Sequence, residues 1–209
     1  MRDLIIVGAG GFGRETLYVA KAINEIKEQW NIRGFIDDNI HALDNMDCDY
    51  PILGKISDWN PSENESFAMG VASPLVKESL SNSLKFKGAK FETLIDPRVI
   101  NYGHSKFGEG CVVFPGSLLG DCLTIGNFVH IAGSMIGQDS IIGDYSTTTG
   151  YVNIASAIIG KRVFIGSHAV ILNHLNVGDG AFICAGSVVF SNVKEGRKMI
   201  GNPAKIFKY

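Results

Sequence analysis

No run in the 209-residue chain approaches the roughly 18 consecutive apolar residues of a membrane span, so no transmembrane segment is expected. Charge is scarce too: Asp, Glu, Lys and Arg make up 19%, with a formal net charge of −2. That balance gives no electrostatic footing for nucleic acid or an anionic membrane surface. Cys48, Cys111, Cys122 and Cys184 form no C-x-x-C pair and no metal-like spacing with histidine. Buried thiols in a reducing compartment, and no metal site, are expected. Arg2 precedes an apolar run and residues 20–22 resemble a cleavage site, but Arg14, Glu15 and the glycines interrupt any signal-peptide core. A cytoplasmic protein is expected. Glycine, by contrast, is plentiful at 25 residues beside 45% hydrophobic content, which suits a β-rich protein with tight turns and substantial cores.

Residues 1 to about 95 alternate strand and helix. The stretch LIIVGAGGFGRE (4–15) reads as a buried strand, a glycine turn and a helix start, and Gly8, Gly10 and Gly13 fit the spacing G-x-G-x-x-G. A helix is predicted from about Arg14 to Trp30, with Val19, Ala22, Ile23, Ile26 and Trp30 on one buried face. Further strands are predicted at 32–38, 50–55 and 67–72, and a helix at 73–85. Strands alternating with helices imply a parallel sheet. Fewer than 100 residues precede the next region, too few for the two mononucleotide-binding halves of a full dinucleotide domain.

From about Ile95 the pattern changes. Ile159, Ile165, Ile171, Val177, Ile183 and Val189 recur at intervals of six, and a smaller set follows at Val163, Ala169, Leu175, Ala181 and Ser187. Units this short cannot bury their own aliphatic side chain, so they must stack into a solenoid with a shared core. Three units make one triangular coil. Ile125, Ile142, Ile159 and Val177 are 17, 17 and 18 apart, so two coils have each lost a corner residue.

The repeats, with the closing segment NVGDGAFICAGSVVFSNVKEGRKMIGNPAKIFKY, resemble the hexapeptide-repeat acyltransferases. Joined to VGAGGFGRE and GFIDDN, they are similar to the sialic acid O-acetyltransferase and bacillosamine-type N-acetyltransferase group. The resemblance implies an α/β Rossmann-like nucleotide-sugar-binding domain at 1–95. At 96–209 it implies an all-β left-handed parallel β-helix that binds acetyl-CoA, with a C-terminal tail. It also implies a homotrimer with acetyl-CoA held in grooves between copies and no metal. The glycine turn then presents backbone N–H groups to a sugar-nucleotide diphosphate. Gly8, Gly10, Gly11, Phe12, Asp37, Asp38 and Gly54 are the expected nucleotide-sugar residues, the two aspartates accepting from a ribose hydroxyl or base N–H. Ser156, Ser167, Ala185 and Gly186 are the expected acetyl-CoA residues, with Lys194, Arg197 and Lys205 near its phosphates.

The chain departs from the family pattern at the proton acceptor. Gln138, followed by Asp139, stands where relatives place histidine, and their second histidine falls near Thr147 or Thr148. Asp96 replaces the histidine of their Ile-His-Pro. Glutamine orients a nucleophile but does not take its proton. Three readings follow. One is N-acetylation of a nucleotide-linked amino sugar, assisted by the substrate itself. Another is N- or O-acetylation (including of sialic acid) with another histidine as base, His130 being the nearest in sequence. The third is a non-catalytic sugar-nucleotide-binding protein. His174 shares a column with Asp139 two coils away, His168 belongs to another corner, and His41 and His104 read as loop residues.

Overall fold

The computed structural model describes residues 1–207; Lys208 and Tyr209 of the closing segment lie outside the described residues. Four parallel strands open the chain: β1 (Arg2–Val7), β2 (Trp30–Ile36), β3 (Ile52–Gly54) and β4 (Glu65–Met69), in the order β3-β2-β1-β4. Helices α1 (Gly11–Ile26) and α2 (Pro74–Phe86) cover them. β1 is apolar on both sides because both faces of the sheet are covered. Leu4 and Ile6 pack with α1, and Ile5 and Val7 with Phe67, Met69 and Leu84 on the α2 side.

Helix α1 corrects one expectation. It ends at Ile26, which is 74% exposed, and Trp30 opens β2. Its buried stripe is Gly13, Thr16, Leu17 and Ala20 with Val19. The aliphatic spacing carried on past Ile26 only because the strand began where the helix pattern was still in phase.

Residues 94–200 form a three-sided parallel solenoid, built almost entirely from two-residue strands joined by corners. The first face starts at Leu94–Ile95, the second at Ile100–Asn101 and the third at Lys106–Phe107. Ile125 pairs with Ile142, Ile142 with Ile159 and Ile159 with Val177, so the shortened coils keep register. Inward aliphatics such as Ile131, Ile136, Ile142, Ile154 and Ile165 form one continuous core. The outward residues Leu94, Val112, His130 and Thr147 of the first face are fully buried, because the N-terminal sheet and its helices pack on them.

Glycine punctuates the corners for steric reasons. A side chain at Gly120 would meet the Gln138 backbone nitrogen at 2.5 Å, so the coils stack closely enough there to require its absence.

Candidate active site

The glycine turn sits at the carboxyl end of β1. In this strand order β2 and β4 flank β1 on opposite sides, the crevice position favoured by ligands of open α/β sheets. Gly8 has φ +92°, and a side chain there would strike Val71 at 2.8 Å. Gly10 and Gly11 have nothing within 4 Å of an added Cβ, so their backbone faces open space. Helix α1 has no acidic residue in its first turn and no side-chain cap. Its free N–H groups therefore present partial positive charge.

Asp37 is placed differently from expectation. Oδ2 accepts from the Ala9 backbone N–H at 2.8 Å and Oδ1 from that of Asn39 at 2.8 Å. Its carboxylate thus ties down the glycine turn. Asp38 is exposed and caps Ser57 N–H at 3.0 Å. The Gly54 carbonyl accepts from Asp37 N–H at 3.0 Å, and the glycine lies against the Trp59 ring.

A cavity of about 640 Å³ lies beside this turn. Phe12, Glu15 and Tyr18 of α1 form one wall, and Gly116, Gly133 and Gly150 on the corner between the first and second faces form the other. Arg98, missed in the sequence, reaches the same cavity. Buried Asp96 fixes it in a fork, accepting from Nε at 2.8 Å and Nη2 at 2.7 Å. Burial pushes the Asp96 carboxyl up, but the hydrogen bonds from Arg98 outweigh it and hold the group below its ordinary value. Two residues apart in Asp-Pro-Arg, the pair offers a guanidinium suited to an anion.

The residues around Gln138 lie on another corner, between the second and third faces. Gln138, Asp139, Ser156 and His174 line a cavity of about 410 Å³. Asp139 and His174 stand on one column with Ser156 between them. The Asp139 N–H donates to Asp121 O and the His174 N–H to Ser156 O, each at 3.0 Å. Asp121 is on the coil below Asp139, and His104, one coil lower again, sets Nδ1 2.8 Å from Asp121 Oδ1. Among the expected acetyl-CoA residues, Ser156 is on this corner, whereas Ser167, Ala185 and Gly186 lie on the corner shared with the larger cavity. Lys194 and Arg197 flank the third corner, apart from both sets, and Lys205 is in the closing strand.

His130 is a correction. It is wholly buried on the first face, not turned into a groove, and neither ring nitrogen is within hydrogen-bond geometry of a partner among the described residues. Phe12 stacks on it at 5.8 Å and Phe114 meets it edge-on at 6.2 Å. As the first residue of its strand it faces outward in register with Val112 and Thr147, and the N-terminal domain covers that direction. Burial, helped by the Lys77 ammonium, drives its pKa well below the ordinary histidine value against the Met69 backbone carbonyl. Thr147, near the expected position of a second histidine, accepts from buried Lys77 at 2.9 Å and donates to Ala72 O at 2.7 Å. The expectation of buried thiols holds for Cys111, whose burial pushes the thiol up to about 11, but Cys122 is exposed at a corner with φ 57°.

The buried imidazole gives an acid-sensitive interface. The unfolded chain binds a proton that folded His130 refuses, so its effect on stability is absent above the ordinary value of 6.5 and destabilising as pH falls below it. The slope is about 1.4 kcal/mol per pH unit. Urea midpoints at pH 7 and 5.5 should separate more for the native chain than for His130→Leu. The Asp96 and Asp144 carboxyls, both held below their ordinary value of 3.8, do not titrate in that window.

Residues 3–84 match the family model of the PglD N-terminal domain. No curated protein sequence matches the chain. Among solved structures, the acetyltransferase domain of PglB from Neisseria gonorrhoeae FA1090 is 22% identical, with TM-score 0.88 over 99% of this chain and 100% of that one. PerB from Caulobacter crescentus, solved with CoA and GDP-perosamine, is 20% identical, with TM-score 0.89 over 100% and 98%. WeeI from Acinetobacter baumannii AYE is 26% identical, with TM-score 0.77 over 99% and 100%. No described helix is long and apolar enough to cross a membrane. Residues 3–84 thus match the PglD N-terminal domain, and the whole chain has the fold of these solved structures, a Rossmann-like unit mounted on a three-sided β-solenoid.

Proposed function

We propose that the chain is an acetyl-CoA-dependent N-acetyltransferase acting on a nucleotide-linked amino sugar, and that it works in the cytoplasm as a homotrimer. One observation carries the reading. A single cavity is walled by the first turns of α1 and by the solenoid corner, so a ligand whose diphosphate rests on the glycine turn can extend its sugar along the solenoid. PerB, of the same fold, was solved with CoA and a nucleotide amino sugar. The sugar amine attacks the thioester carbonyl carbon, the C–N bond forms, and CoA leaves as its thiol. Arg98 and the helix N-terminus serve the nucleotide phosphates. Placement of the two reactants is the main contribution to rate.

The positions of the two cavities support the trimer. They occupy different corners of one prism, so within a chain the solenoid separates them. Between copies, the Gln138 corner of one chain meets the glycine-lined corner of the next. Ser156 and the neighbour's Ser167, Ala185 and Gly186 then line one groove for the pantetheine arm. Closed three-fold symmetry also covers the exposed aliphatics Met135, Ile141 and Ile158.

Thiol release from acetyl-CoA, measured against UDP-, dTDP- and GDP-linked amino sugars with free sialic acid as a hydroxyl acceptor, tests the reading. Turnover with an amino sugar and none with sialic acid is expected. Acetyl transfer only to a hydroxyl would replace it with O-acetylation. Absence of CoA binding by calorimetry would leave the non-catalytic reading.

A further inference from the structure

The proposed reaction needs somewhere for the amine's proton to go, and Gln138 cannot take it. Five histidines are available. His130 is sealed between the domains. His41 pairs with Asp44 in a loop of the N-terminal domain, and His168 stacks on Tyr151 on the corner between the first and second faces. His174 lines the smaller cavity but has no carboxylate partner among the described residues. His104 differs. Its Nδ1 is 2.8 Å from Asp121 Oδ1, its side chain is 80% exposed, and Nε2 has no partner among the described residues.

Position completes the case. His104, Cys122, Asp139, Ser156 and His174 all have left-handed φ, from 41° to 59°, at equivalent places on the corner between the second and third faces. Asp121 precedes Cys122 as Gln138 precedes Asp139, and the Asp139 N–H donates to the Asp121 carbonyl. His104 itself stands two coils below Gln138; its ring reaches up to Asp121 on the coil between them, beneath the Gln138–Asp139 rung. We propose that His104, oriented by Asp121, is the general base of the transfer, with Gln138 aligning the amine from the rung above Asp121. Nδ1–H donates to the Asp121 carboxylate, so Nε2 carries the free lone pair. As the C–N bond forms, the nitrogen's proton passes to Nε2; as the C–S bond breaks, the imidazolium returns it to the departing thiolate. Asp121 stabilises the imidazolium between the two steps. The other titratable groups here are Cys122, beside Asp121, and Asp139 one coil above.

The inference rests on the proposed acetyl transfer, and one series separates the two. His104→Ala should lower kcat/KM by about 10²-fold or more with CoA affinity and oligomeric state unchanged. Asp121→Asn should lower it less. Free imidazole should restore turnover to His104→Ala, which a structural role for the ring would not allow. Full activity in His104→Ala with an unaltered pH profile overturns the assignment while leaving the acetyl transfer intact. Turnover that EDTA abolishes and Zn²⁺ restores also overturns it, since His104, Asp121 and Cys122 lie within 4.8 Å of one another and would then be metal ligands. A wild-type protein that acetylates nothing overturns both.

Discussion

Replacing Gly13 with alanine is expected to cost the N-terminal domain about 3 kcal/mol or more, the upper end of overpacking penalties. The added Cβ would lie 1.9 Å from the Gly8 carbonyl oxygen, and a Cβ on Gly70 would lie 2.6 Å from Gly13 Cα. The three backbones therefore touch. None can retreat, because Gly8 N–H donates to Ile36 O and Gly70 N–H to Val7 O, each at 2.8 Å within the sheet crevice. Gly10→Ala supplies the contrast. Nothing stands within 4 Å of its Cβ, so stability should change by less than about 0.5 kcal/mol, while nucleotide binding weakens as the methyl group holds the diphosphate off the backbone. Both tryptophans, Trp30 and Trp59, lie in this domain, so their fluorescence during urea unfolding reads it directly. A Gly13→Ala midpoint equal to wild type would contradict the packing argument.

The second large effect concerns the third face. Ile141 and Ile158 are paired on adjacent rungs, and each is more than two-fifths exposed in the isolated chain. Ile158 also lines the cavity beside Gln138. The double variant Ile141→Lys/Ile158→Lys places two like charges on what the proposed trimer buries, where an unpaired charge is strongly unfavourable. Light scattering should then report a monomer, and acetyl transfer should fall by more than about 100-fold because the two cavities no longer meet. The core beneath, built from Ile142 and Ile159, is untouched, so the far-ultraviolet circular dichroism should not change. A monomer with full activity would show that one chain holds the whole site.

The solenoid was legible because a six-residue unit has no other way to bury its aliphatic side chain. Even the shortened coils declared themselves, since Ile125, Ile142, Ile159 and Val177 had to remain in one column. The strand–turn–helix around Gly8–Gly13 was legible for a similar reason: close backbone contact excludes every other residue. Asp37 was legible in position but not in use, because its bond to Ala9 spans a crossover that the sequence does not display. His130 misled because a short strand does not show which domain covers its outward side. In the sequence His104 reads as a loop residue because its partner lies 17 residues on, one full coil away. The signal was present: in a solenoid, residues one coil apart in sequence are neighbours in space.

Mixing two silent variants tests the shared site most directly. Gly11→Asp places a negative charge where the diphosphate should rest, and Ser156→Arg fills the cavity beside Gln138; each alone should abolish acetyl transfer. Co-expressed in equal amounts, they should form trimers in which about a quarter of the sites combine an intact glycine turn from one chain with an intact Gln138 corner from another, and activity should return to that fraction of wild type. A mixture as silent as its parents, despite confirmed hybrid trimers, would mean that sugar and thioester meet within a single chain.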